Sequence, residues 1–157
     1  MHALSTFLLF QLGKERYALD VRQIAEVLPL VTLKEIPKAP KGVAGVFDYR
    51  GAPVPVIDLS ELMLGRKAQE RLSTRIVLVH YKAAGGPDRL LGLIAERATD
   101  TIRRAAQDFV ESGVANDAAP FLGPVCTDPG GFIQWIEVDK LLPYSVRSVL
   151  FRRTADI

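Results

Sequence analysis

Apolar and polar positions alternate along this chain in short runs broken by turn residues. Thr6-Phe-Leu-Leu-Phe-Gln-Leu12 and Tyr17-Ala-Leu-Asp20 flank the polar stretch Gly13-Lys-Glu-Arg16, which predicts a β-hairpin. Val21 to Gln23 predicts one helical turn, and Ile24-Ala-Glu-Val-Leu28 alternates as a strand that Pro29 ends. Thr32-Leu-Lys-Glu-Ile36 is a further short alternating strand. Pro37-Lys-Ala-Pro40 suits neither a helix interior nor a central strand, so it predicts an extended connector.

The stretch from Gly45 to Leu59 organises what surrounds it. Val46 and Phe47 form a β-prone run, and Asp48-Tyr-Arg-Gly51 makes a tight turn in which Gly51 adopts positive φ without a Cβ clash. Pro53 and Pro55 sit in the returning strand with Val54, Val56 and Ile57. Neither proline donates to a sheet ladder, so this strand is predicted to be edge-like or bulged in part. Asp58, with Glu61 three residues on, predicts the N-cap of a short helix near Leu59 to Leu64, closed by Gly65. The polar run Arg66 to Ser73 marks the boundary between two halves.

The second half restarts the pattern. Thr74 to Tyr81 and Arg89 to Ala95 predict a second hairpin around the loop Ala83 to Asp88, followed by a short separate strand over Thr99 to Arg103. Ala105 to Ala119 predicts irregular chain with a helical turn at Ala106 to Val110. Phe121 to Thr127 and Phe132 to Glu137 predict a third hairpin about Asp128-Pro-Gly-Gly131. Asp139 is placed to cap a short helix through Leu142. Val146, Val149, Leu150 and Phe151 suit an amphipathic terminal helix docked on the body, with Arg152 to Ile157 frayed. Many short strands with frequent turns predict an all-β fold with short helices, either barrels or a sandwich.

Composition narrows the function classes. With 157 residues, nearly half of them apolar, the chain has material for a substantial core. A net charge of +2, from 20 basic and 18 acidic side chains, demands no nucleic-acid or anionic-membrane partner. No run reaches the roughly 18 apolar residues of a membrane span, and the start lacks a basic leader, so no insertion or signal peptide is expected and the predicted location is cytoplasmic. The histidines His2 and His80 stand apart, and Cys126 lies among apolar residues with no partner in sequence. There is no HExxH, CxxC or GxSxG pattern, and Gly85-Gly86 lacks the following Lys-Ser/Thr of a phosphate cradle. No enzyme, metal or cofactor is therefore expected. The candidate functions are a protein-binding module and, as the alternative, a small-barrel nucleic-acid binder.

Two polar residues stand out for the first of these. Arg50 sits at the tip of a turn flanked by Tyr49 and stiffened by Pro53. It is either a brace bonded to nearby carbonyls or a contact anchor for another protein, a role in which Arg and Tyr are enriched. Glu26, inside an apolar strand, is either simply its solvent face or a specificity contact.

These residues carry a resemblance. Arg22-Gln-Ile-Ala-Glu-Val27, Ile36-Pro-Lys-Ala-Pro40, Gly42-Val-Ala-Gly45, Asp48-Tyr-Arg-Gly51 and Pro55-Val-Ile-Asp-Leu59 resemble, in order and spacing, the CheW-like domain of bacterial chemosensory systems, over residues 6 to 143. Asp48 stands where that family usually has Asn, Pro53 where it has Ile or Val, and Ala95-Glu96 where Val-Asp is common. These departures bear on partner identity more than on fold. The turn is also similar to couplers of Wsp-type surface-sensing systems, which feed a cyclic-di-GMP output. The resemblance implies two packed five-stranded SH3-like β-barrels, roughly 6–72 and 73–143 with terminal segments free to cross over, and a tail over 144–157. It implies a non-enzymatic adaptor that links methyl-accepting chemoreceptors to the regulatory domain of a CheA-type histidine kinase, recruited to membrane receptor arrays. The receptor's helical tip would dock in an apolar groove between barrels. Glu26, Gly45 and Arg50 match the family's partner-facing region, with Ile24, Asp48 and Tyr49 beside them.

Overall fold

Ile76-Val-Leu-Val79 is apolar on both faces of a strand, and the fold buries both. Ile76 and Leu78 point into one small barrel core with Phe47, Val54 and Val56, while Val77, Val79 and Tyr81 point into a larger core shared with Leu8, Phe10 and Leu19. A third cluster, Phe7, Ala18, Phe109, Cys126 and Ile133, fills a second barrel. The molecule is thus two small barrels with an apolar layer between them. Burial on both faces is why its central strands read as unbroken hydrophobic runs.

The computed structural model describes residues 3–82, 86–113 and 117–151. Among them the strands are β1 (Leu4–Leu12), β2 (Glu15–Asp20), β3 (Ile24–Pro29), β4 (Val43–Tyr49), β5 (Ala52–Asp58), β6 (Arg75–Tyr81), β7 (Arg89–Ala105), β8 (Leu122–Asp128) and β9 (Gly131–Ile136). The helices are α1 (Leu59–Leu64) and α2 (Tyr144–Leu150), with 3₁₀ turns at Val21–Gln23, Ala106–Asp108 and Val138–Lys140. In the first barrel the order is β3-β6-β7-β5-β4; in the second it is β7-β1-β2-β9-β8. β7 serves both, pairing with β6 up to Ala95 and with β1 from Glu96. Each barrel is closed by a single bridge, Lys34 to Val46 in the first and Val110 to Val125 in the second.

The expected split near residues 72 and 73 left terminal segments free to cross over, and strands are exchanged across that boundary. The hairpin β1–β2 leaves its own half and joins β7, β8 and β9, while β6 and the first part of β7 complete the barrel of β3, β4 and β5. Each half lends its first hairpin to the other. Two devices make the crossings. At Val21–Gln23, Asp20 accepts from the Arg22 amide at 2.9 Å and turns the chain out of β2. At Arg97 the backbone turns left-handed, with φ of 52°.

Two further expectations change. Thr32 to Ile36 forms no strand, only the Lys34 bridge. Arg89 to Ala95 and Thr99 to Arg103 are one continuous strand of 17 residues, because the crossing is made by a bulge rather than a loop. The caps of α1 are as read: Asp58 accepts from the Glu61 amide at 3.2 Å and Gly65 takes φ of 80°. Asp139 caps nothing by its side chain; it accepts from the Lys82 amide at 3.3 Å. α2 docks through buried Val146, and the Phe151 ring stacks on Tyr81 at 5.7 Å, while Val149 stays exposed. The readings placed on His2, on Gly85 and on Arg152 to Ile157 lie outside the described residues.

Candidate functional site

The turn between β4 and β5 has only two residues, Arg50 and Gly51, since Tyr49 pairs with Ala52. Their φ angles are 53° and 87°. Positive φ at both positions is the type I′ geometry that matches the twist of a two-residue hairpin. Gly51 meets it without strain. Arg50 does not: a left-handed L-residue is disfavoured by about 1–2 kcal/mol. Asp48 Oδ1 accepts from the Gly51 amide at 2.7 Å and holds the turn. Pro53 and Pro55 oppose Asp48 and Val46 at the pairs that exchange no hydrogen bonds. Their nitrogens face the side that β7 reaches only from Val56 onward, so part of β5 is an edge, as the prolines require.

Glu26 reaches this turn through a bulge. Ile24 pairs with Val79 but Glu26 pairs with Leu78, so Ala25 is the extra residue. Ile24 therefore shares the face of Val79 and packs on the layer between barrels. Glu26 shares the face of Leu78 and Leu28, at the mouth of the first barrel. There its Oε1 accepts from the Tyr49 hydroxyl at 2.7 Å and from the Arg50 guanidinium at 3.2 Å. Arg50 lies 5.0 Å over the Tyr49 ring. The hydrogen bond to the Glu26 carboxylate raises the Tyr49 phenol above its ordinary pKa, with a smaller contribution from burial.

Three of the six candidate residues thus meet in one cluster. Glu26 is not a bare solvent-facing carboxylate; its side chain is 35% exposed and holds two partners. Among the described residues Arg50 bonds no carbonyl; it remains 77% exposed, with donors of its fork unengaged. Asp48 is occupied in the turn. Gly45 is buried, and a Cβ there would stand 2.5 Å from the Lys34 carbonyl oxygen, so the bridge closing the barrel requires glycine. Gly45 supports the site from behind and offers no side chain to a partner. Ile24 faces the inter-barrel layer and is not part of the cluster. The Tyr49–Glu26 bond spans 23 positions in sequence and had no local signal; Lys34, which closes the barrel beneath the site, was equally invisible.

Among the described residues no three His, Cys, Asp or Glu side chains converge to hold a metal ion. Cys126 is buried, and that burial raises its thiol pKa. His80 lies exposed on β6. No helix of the described residues is long and apolar enough to cross a membrane.

Comparison with known proteins agrees with this architecture. Residues 6–145 match the family model of the CheW-like domain. The chain is 26% identical over 140 residues to the chemotaxis protein CheW of Rhizobium meliloti, covering 88% of this chain and 87% of that one. It is 33% identical over 104 residues to the chemotaxis protein CheW of Helicobacter pylori, covering 66% of this chain and 59% of the other. The crystal structure of the scaffolding protein TtCheW from Thermoanaerobacter tengcongensis superposes with a TM-score of 0.79 at 24% identity, covering 93% and 92% of the two chains.

Proposed function

The chain belongs to the family of CheW-like domains, and from that premise we propose that it is a non-enzymatic adaptor coupling methyl-accepting chemoreceptors to a CheA-type histidine kinase. It acts without turnover, by favouring particular receptor–kinase geometries and so shifting kinase activity. Its partners are the kinase's regulatory domain and the cytoplasmic tip of a receptor, and it works in the cytoplasm on membrane receptor arrays.

The observation that carries the reading is Arg50. A hairpin of this geometry is satisfied by glycine or asparagine, yet an arginine is kept at a conformational cost. An exposed ion pair contributes about 0–1 kcal/mol and the cation–π contact with the Tyr49 ring about 0.5–1, together no more than about what the left-handed backbone costs. Arg50 therefore brings little net gain in stability. Glu26 and the Tyr49 ring orient the guanidinium, and its remaining donors face outward, an arrangement suited to carbonyls or a carboxylate on a partner. Pre-orientation lowers the ordering cost of binding.

The test measures kinase-domain affinity and melting temperature on the same samples. Arg50→Lys keeps the charge and the backbone strain but loses the fork, so affinity should fall with the fold intact. Arg50→Glu should cost more, roughly 2–5 kcal/mol if the contact is desolvated. Wild-type affinity in both variants would remove Arg50 from the interface.

A further inference from the structure

A second cluster of unused chemistry lies where the two barrels exchange strands. A cleft of about 200 Å³ opens between the β1–β2 turn, the segment after α1 and the β7 crossing, lined among others by Gln11, Gly13, Arg66, Lys67, Arg71 and Arg97. Four of these side chains are cations. The carboxylate on this cleft, Glu96, accepts from the Ser60 hydroxyl at 2.8 Å. None of the four cationic side chains takes part in an ion pair or hydrogen bond among the described residues.

The cations stand on a fixed frame. Buried Asp58 accepts from the Ala68 amide at 2.9 Å, and buried Thr74 donates to the Gln69 carbonyl at 2.5 Å and accepts from the Arg71 amide at 3.3 Å. The Ala98 amide donates to the Ser73 carbonyl at 3.0 Å and ties the segment to β7. Arg97 holds the left-handed crossing, a position glycine would fill with less strain. The Arg66 guanidinium lies beside Gly13, which turns the chain at φ of 61°. On the same clamped segment Leu72 is 100% exposed, with no core within its reach.

We infer that this cleft is a docking site for an acidic, leucine-bearing segment of a protein partner, separate from the Glu26–Tyr49–Arg50 cluster and sharing no residue with it. Unpaired cations on a rigid frame select carboxylates, and Leu72, next to Arg71 in the chain and outside the cleft lining, offers a segment that extends past the cleft an apolar contact that a phosphate cannot use. No aromatic side chain lines the cleft to stack a base. The volume is also below the roughly 300 Å³ at which small-ligand sites begin. A short protein segment crossing the opening fits these constraints, and a nucleotide does not.

The probe is a fluorescein-labelled peptide of repeated Glu-Glu-Leu, titrated with the intact protein at low ionic strength and followed by anisotropy. The double variant Arg71→Gln, Arg97→Gly should lose about tenfold in affinity, equivalent to about 1.4 kcal/mol. Glycine at 97 relaxes the backbone, so that variant should melt no lower than wild type. Leu72→Ser should weaken binding further, while Arg103→Gln, which removes an exposed charge elsewhere on β7, should bind as wild type. Absence of peptide binding would overturn the inference. Equal loss in Arg103→Gln, or pyrophosphate or a single-stranded oligonucleotide displacing the peptide at lower concentration than unlabelled peptide does, would overturn it too.

Discussion

Arg50 joins two facts that sequence reading treats separately, a charge at a turn tip and a backbone angle. Its left-handed conformation makes a sharp prediction. Arg50→Gly removes a strain of about 1–2 kcal/mol together with an exposed ion pair of at most about 1 and a cation–π contact of about 0.5–1, so the melting temperature should stay level. Partner affinity should fall in the same variant. An arginine that merely braced its turn would instead lower the melting temperature when removed. Glu26 is the other half of the unit. Glu26→Gln should bring the Tyr49 phenol back toward its ordinary titration, since the carboxylate hydrogen bond is the largest cause of its raised pKa. The phenolate absorbance of Tyr49, followed against pH with a Tyr49→Phe reference, reads this directly. An unchanged titration would mean the hydroxyl bonds elsewhere.

Among the elements, the β8–β9 hairpin is fastened to β2 by a charge pair. Arg16 on β2 grips Asp128 with both terminal nitrogens and also donates to the Gly131 carbonyl at 3.1 Å. The Arg16 hydrogen bond is the largest cause of the Asp128 carboxyl being lowered to about 2 from 3.8. The folded pKa lies below the unfolded one, so the contribution is complete above 3.8 and disappears as pH falls toward 2. Arg16→Gln should lower the melting temperature at neutral pH, and its difference from wild type should shrink on acidification through that window. A difference independent of pH down to 2 would show that the loss is one of packing. Local signals read this hairpin correctly, as they did β1–β2 and the caps of α1, because each is settled by residues close in sequence.

At the scale of the molecule, the exchange of hairpins makes the two halves mutually dependent. Half one, through Leu72, holds β3, β4 and β5 but lacks the two strands that fill their barrel; half two supplies them and needs β1 and β2 in return. The apolar layer between barrels draws on both, with Leu8, Phe10 and Leu19 facing Val77, Val79 and Leu91. Separate fragments 1–72 and 73–157 should each fail to fold alone and should form a one-to-one folded complex when coexpressed, as read by light scattering and circular dichroism. A fragment that folds alone with a cooperative melt would contradict this dependence.

What the sequence determined by itself is what short-range chemistry decides. The strands of the three hairpins follow from β-prone runs between turn residues, the helix at Leu59 from Asp58 and Gly65, and the partial edge of β5 from its two prolines. The motif around Arg50 was specific enough to indicate the family, which the match over residues 6–145 bears out. Tertiary structure alone decided which barrel each hairpin joins, because pairing partners far apart in sequence leave no local mark. It also decided which way Glu26 faces: one extra residue at Ala25 sends Ile24 and Glu26, two positions apart, to opposite faces of β3. Gly45 and Lys34 meet only when the barrel closes, and that closure holds the strands on which the cluster at Arg50 stands.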